Sequence, residues 1–215
     1  SAASWPSEAL TSRENREGKR KMYYDLNEEQ NMLREAAHKF LAEECPGELV
    51  RKMVEDERGF KQDLWRKMAE LGWMGLPVPE AYGGSGMTFL ELVVLLYEMG
   101  HYCLPGPFFS TVVLGGLTMM EAGNEEQKAE ILPKVADGSC TLTLAWLEHA
   151  GTYSAGAIKL AGTLNGSQYI LSGTKLFVPD AHVADTIICA ARTGAEPEDI
   201  TLFLVDAKSK GIKIT

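Results

Sequence analysis

The hydrophobic period of this chain changes once, at Gly138, and that change restricts the fold more than any other feature. Before it, apolar residues recur at helical spacing. After it, they fall in short β-branched and aromatic runs separated by turn residues. Helices first and strands afterwards predict a segregated α+β arrangement rather than a doubly wound parallel sheet. No G-x-G-x-x-G and no G-x-x-x-x-G-K is present, which disfavours dinucleotide-fingerprint and P-loop sites.

The helical half carries its own start and stop signals. Asn27 with Gln30, Thr88 with Glu91 and Asn124 with Gln127 all have capping-box spacing, in which the N-cap side chain and the residue three on satisfy each other's backbone donors. The first box opens a helix with Leu33, Ala36, Ala37, Phe40 and Leu41 on one face, stopped at Cys45-Pro46-Gly47. A short charged helix is expected over 48–57, then one with Leu64, Met68 and Leu71 inward and Gly72 past its end. Segment 89–103 is apolar nearly all round, which predicts burial on most sides. Pro105-Gly106-Pro107 separates it from an equally apolar helix over 108–122, where Gly115-Gly116 allow close backbone approach and Gly123 ends the run. Pro133 is expected to end or kink the last helix near Leu132.

Strands are expected at 141–147, 157–164, 168–171, 175–178, 186–191 and 201–205, with Asn165-Gly166 as the hairpin signal between two of them. A chain of 215 residues holds one large domain or two small ones. The expected division is a leader or tag over 1–24, a helical domain over 25–137 and a β-domain over 138–215. The leader is polar, ends in Lys19-Arg20-Lys21 and has no apolar core of a secretory signal. Met22 reads as the natural start; a genuine disordered arm is the alternative.

The net charge of −9 argues against a nucleic-acid partner. Cys45, Cys103, Cys140 and Cys189 lie far apart, with no C-x-x-C, which fits reduced thiols in a cytoplasmic protein better than a disulfide framework or a metal site. The longest apolar stretches, 92–97 and 107–120, are too short to span a bilayer.

Three strings together resemble the acyl-CoA dehydrogenase family. The first runs from Leu71-Gly72-Trp73-Met74-Gly75 through Pro79-Glu80-Ala81-Tyr82-Gly83-Gly84-Ser85-Gly86 and is similar to the family's G-W-x-G…P-E-x-Y-G-G-x-G loop. The second is Gly123-Asn124-Glu125-Glu126-Gln127-Lys128 with Leu132-Pro133 and Gly138. The third is 169–175 followed by Phe177-Val178-Pro179-Asp180 and Ala184-Asp185, similar to the family's Y-x-x-N-G-x-K-x-W-I-T-N…A-D segment. The resemblance covers nearly everything from Asp25 onward. It implies a helical domain, then a mainly antiparallel, barrel-like β-domain, truncated before a carboxy-terminal helical bundle. It also implies flavin adenine dinucleotide (FAD) as cofactor, α,β-dehydrogenation of an acyl-CoA thioester, electron-transfer flavoprotein as partner, and a homo- or hetero-oligomer.

The residues that the resemblance places near the flavin are Trp146, Leu147, Glu148, Phe177, Val178 and Pro179, and those near the substrate are Tyr153 and Phe108. Several depart from the family's pattern. Where it reads T-E-P-x-x-G-S-D, this chain has Leu147-Glu148-His149-Ala150-Gly151-Thr152-Tyr153-Ser154; in W-I-T-N, the tryptophan becomes Phe177 and the threonine Pro179. The changes at Leu147, Phe177 and Pro179 remove hydrogen-bond donors, and Pro179 also lacks a backbone N–H. One neutral hydrogen bond contributes about 1 kcal/mol, so backbone groups of Trp146–Glu148 and the Phe177 ring are expected to hold the ring still. A subunit that has lost its flavin and serves a catalytic partner is the alternative. His149 is read as a surface loop residue. Phe109, Val112 and Val113 line either the acyl tail or simply the core, and Gly106 opens that pocket. The catalytic base is expected beyond Thr215, since none of Glu80, Glu91, Glu98 or Glu148 stands at a family base position. In the chain alone, flavin is expected to bind weakly or not at all, without dehydrogenase activity.

Overall fold

The computed structural model describes residues 25–215, so the leader expected over 1–24 lies outside the described residues. Three helices begin at the three capping boxes. They are α1 (Glu28–Glu44), α4 (Phe89–His101) and α6 (Glu125–Ala136), with Asn27, Thr88 and Asn124 as N-caps. Between α1 and α4 lie α2 (Gly47–Met53) and α3 (Gln62–Glu70). The second helix is thus shorter than the charged segment suggested.

Leu71 is exposed rather than inward. Gly72, with φ 75°, turns the chain beneath the end of α3, so that Trp73 N–H reaches the Met68 carbonyl at 3.1 Å and the Trp73 ring enters the core. Trp65, not anticipated, is buried on α3 and donates from Nε1 to the Gly138 carbonyl at 2.8 Å. The Gly-Trp…Gly-Gly string folds as a clasp of turns without strands. Ser85, Gly86 and Met87 N–H groups donate to the carbonyls of Gly75, Val78 and Leu76, and a Cβ on Gly84 would lie 2.0 Å from the Val78 oxygen.

The segment after Phe108 is not a plain α-helix. Phe109–Gly116 is π-helical, continuing into α5 (Leu117–Ala122). The glycine pair acts as expected: a Cβ on Gly115 would sit 2.3 Å from the Leu142 Cβ, so only glycine lets this run touch the first strand. Pro133 does not end α6 near Leu132; the helix continues to Ala136. The ring removes one N–H a single turn from the helix end, while Leu132 and Val135 on either side are fully buried.

The strands are β1 (Leu142–Ala145), β2 (Ala161–Asn165), β3 (Gln168–Ser172), β4 (Thr186–Arg192) and β5 (Ile200–Asp206). The expected strand over 157–164 begins only at Ala161, and 175–178 is not a strand at all. The sheet is mixed. β1 runs parallel to β4 along Thr186–Cys189 and β2 touches the same edge of β4 at Arg192, while β2–β3 and β4–β5 are the longer, antiparallel pairings. The β2–β3 loop is Gly166-Ser167, with Asn165 opposite Gln168. One core cluster fills the helical half. A second joins α5 and α6 to β1 and β4 through Met119, Leu132, Val135, Leu142 and Ile188, and so seats the sheet on the helices. No helix among the described residues is long and apolar enough to cross a membrane.

Candidate functional site

Where β1 leaves the sheet, Trp146, Leu147 and Glu148 run irregularly into a turn closed by Gly151 N–H on the Glu148 carbonyl, and the chain after β3 returns to lie beside them. That return is irregular for a local reason. Phe177 and Asp180 both have φ 51°, a left-handed backbone that a bulky residue adopts only at a cost of about 1–2 kcal/mol, which no strand register permits. Four contacts hold this strap. Leu176 N–H donates to the Leu147 carbonyl (2.8 Å), the Thr143 hydroxyl to the Pro179 carbonyl (2.6 Å) and the buried Ser110 hydroxyl to Asp180 Oδ2 (2.6 Å). Besides these four, the Asp180 carbonyl accepts locally from the N–H groups of Val183 and Ala184.

The fourth contact is an ion pair. Lys175 Nζ donates to Glu148 Oε1 at 2.8 Å and to the Trp146 carbonyl at 3.1 Å, and the two side chains are 5% and 10% exposed. Glu148 also accepts from the N–H groups of Lys159 (2.9 Å) and Leu160 (3.0 Å), which satisfies both oxygens. Burial pushes its carboxyl up, but the hydrogen bonds from Lys175, Leu160 and Lys159 outweigh it and hold the group below the usual carboxylate range.

The six residues assigned to the flavin side are therefore brought together in one turn-and-strap unit. Val178 packs half-buried on the sheet core, and Phe177 is 89% exposed at the crest of the strap. Tyr153 lies in the same loop region, since its carbonyl accepts from Trp146 Nε1 at 3.1 Å; its ring is 75% exposed. Phe108 is not brought there. It is 3% exposed, within the helical core, while its neighbour Phe109 is exposed. Gly106 does not open a pocket: a Cβ there would lie 2.7 Å from the Phe60 Cβ, so the phenylalanine fills the space. His149 is exposed at the rim of a shallow concavity of about 440 Å³ that it shares with Lys159, Ser172 and Thr174.

Sequence reasoning missed the Lys175–Glu148 pair, although both residues stood inside quoted motifs. A lone lysine after a turn glycine, in an otherwise apolar run, was the available signal.

The donor set fits a flat, acceptor-edged ring. The carbonyls of Trp146, Leu147 and Glu148 all accept from the protein itself, the last from Gly151 N–H at 2.9 Å. The Leu147 N–H has no acceptor among the described residues. The segment thus has a donor to offer, and the strap bonded to it carries the exposed Phe177. Among the described residues no three His, Cys, Asp or Glu side chains are placed to hold a metal ion.

Residues 27–139 match the family model "Acyl-CoA dehydrogenase, N-terminal domain", and residues 143–215 match "Acyl-CoA dehydrogenase, middle domain". The chain is 30% identical over 199 residues to "Probable acyl-CoA dehydrogenase YngJ" of Bacillus subtilis, covering 90% of this chain and 52% of that protein. Its structure is similar to the ChsE4-ChsE5 complex from Mycobacterium tuberculosis, with TM-score 0.80, 27% identity, and 90% and 51% of the two chains covered. It is also similar to an acyl-CoA dehydrogenase complexed with FAD from Bacillus anthracis, with TM-score 0.76, 26% identity, and 88% and 32% covered. The chain spans about half the length of the curated relatives it matches.

Proposed function

The chain belongs to the acyl-CoA dehydrogenase family, and from that premise we propose that it forms part of a FAD-dependent enzyme that oxidises an acyl-CoA thioester to the α,β-enoyl-CoA. The observation that carries the reading is Phe177, an exposed aromatic residue held on a left-handed backbone in the strap that Leu176 N–H ties to the Leu147 carbonyl. Strain of this kind persists where the surroundings over-determine it, and such positions cluster at ligand sites. Bound FAD would supply the acceptor for the hydride that leaves the substrate's β-carbon.

This chain's own residues do the positioning. Phe177 offers a stacking face, Leu147 N–H a donor, and Val178 and Pro179 fix the strap beneath them. Trp146 holds the following loop through Tyr153, whose exposed ring faces the thioester side in this reading. Phe108 contributes by packing the helix that carries Phe109, which we assign to the acyl-tail side.

We assign no catalytic base to this chain. Glu91 is committed to its capping box, Glu98 is buried against His38 at 2.9 Å, and Glu148 is ion-paired; Glu80 lies away in the Gly-Gly clasp. The helical domain is taken as 25–137 and the β-domain as 138–215. Electron-transfer flavoprotein is the proposed electron acceptor, in an oligomer located in the cytoplasm.

Substituting Phe177→Gly tests the assignment. Glycine relieves the left-handed strain, so the fold gains stability by about 1 kcal/mol. It also removes the stacking face, so FAD affinity falls several-fold. Unchanged FAD affinity in F177G would remove the basis for the site.

A second reading has its own support: Leu147 and Pro179 carry no hydroxyl, and Pro179 no N–H. A subunit of this kind binds no flavin itself and completes a partner's site. In that case a yellow complex forms only on co-expression with the partner.

A further inference from the structure

Lys175 Nζ donates to the carbonyl of Trp146 at 3.1 Å, and the N–H of that same peptide unit is the Leu147 N–H, which has no acceptor among the described residues. The ammonium therefore pulls electron density from one end of a peptide whose other end is the donor offered by the turn. We propose that Lys175 is a positioning residue that polarises the Trp146–Leu147 peptide, strengthening the Leu147 N–H as a donor toward a ligand edge that carries or develops negative charge. The idea rests on the flavin reading for the identity of that ligand, but not for the polarisation itself.

Three features support it. The ammonium is only 5% exposed, so water does little to screen it from the peptide it touches. Glu148 holds it from the opposite side through an oxygen that also binds Leu160 N–H, which leaves the lysine no alternative rotamer without stranding a buried charge. Leu176 N–H, on the residue after the lysine, binds the carbonyl of the following peptide, that of Leu147, at 2.8 Å, which ties the chain next to the polarised peptide to the strap that carries the cation. A lysine placed only to stabilise the turn would need Glu148 alone. The second bond, to Trp146, is what couples charge to donor.

The test compares Glu148→Gln with the double variant K175M/E148Q. The glutamine oxygen still accepts from Leu160 N–H, the loss of the Lys159 N–H acceptor is common to both variants, and the pair differs only in the cation, with no unpaired buried charge in the double variant. Two readouts are taken: the Leu147 amide proton shift in the ¹⁵N-labelled chain, and the dissociation constant for FAD added to the whole native protein carrying the same substitutions.

The expected result is an upfield move of the Leu147 amide in K175M/E148Q relative to E148Q, larger than that of any other loop amide. FAD binding weakens about tenfold, the size of one charge-assisted hydrogen bond. Lys175→Arg keeps both readouts near wild type. An unmoved Leu147 amide overturns the proposal, and so does a moved amide with unchanged FAD affinity. If the native protein isolated from its source binds no FAD and the amide still moves, polarisation stands and the flavin reading fails.

Discussion

Gln30 Nε2 donates to Glu91 Oε1 at 2.8 Å, which locks two capping boxes to one another. Gln30 Oε1 accepts from Asn27 N–H at the start of α1, and Glu91 Oε2 accepts from Thr88 N–H at the start of α4. The helices thus run side by side from a common origin, and His38 meets Glu98 two turns further along. Each box could be read from the sequence; the bond between them could not, because it joins residues 61 apart.

Gln30→Ala removes half of a capping box and the interhelical bond, so it should cost about 1–2 kcal/mol at neutral pH by urea unfolding. The cost should shrink in acid. Burial pushes the Glu91 carboxyl up, but hydrogen bonds from Thr88, Gln30 and backbone N–H groups hold it below its ordinary value. A depressed carboxylate contributes stability that is present above its unfolded pKa of about 4.3 and lost as the pH falls through its folded value. A Q30A penalty that is the same at pH 7 and pH 3 would count against this.

Lys175→Met alone leaves Glu148 buried and unpaired, and should destabilise by about 3–5 kcal/mol. The K175M/E148Q double variant should recover most of that loss. The Glu148 carboxyl is also held below its ordinary range, so the sign is as for Glu91: the E148Q penalty is full at neutral pH and fades below about pH 4. Equal instability of the single and double variants would show that the buried charge is not the cause.

The helical half was more legible than the site. Caps are local, so Asn27, Thr88 and Asn124 announced their helices from four residues each. Burial is not local. The 89–103 segment was expected to be buried on most sides, yet Phe89, Leu90, Val93 and Tyr97 share an exposed stripe that composition could not distinguish from core. The strap over 175–178 looked like a strand because Leu176, Phe177 and Val178 are strand formers. It is not one, because bonds to residues distant in sequence, from Thr143 and Ser110 and from Lys175 to Glu148, replace the ladder.

Gly115→Ala should destabilise the contact between the helices and the sheet by about 1–3 kcal/mol, since its Cβ would overlap Leu142 and overpacking is not relieved by a π-helical run fixed through Thr111. G116A, which meets nothing closer than the Thr111 carbonyl at 3.3 Å, should cost less. The thermal midpoints of the two variants give the comparison.

Cys103 is exposed, while Cys45, Cys140 and Cys189 are buried, with burial the largest influence raising each of their pKa values. A thiol-reactive chromogenic disulfide should therefore label the folded chain rapidly at Cys103 alone, and at all four positions in denaturant. Rapid native labelling of the C103S variant would show that one of the others is accessible.

The most direct measurement is the visible spectrum of the native protein, isolated from its source and titrated anaerobically with acyl-CoA thioesters of increasing chain length. A flavin band that one of them bleaches, with enoyl-CoA formed in equal amount, is the predicted result. A protein without the band, or one whose band no acyl-CoA bleaches, would contradict the assignment of this chain to a flavin-dependent acyl-CoA oxidation.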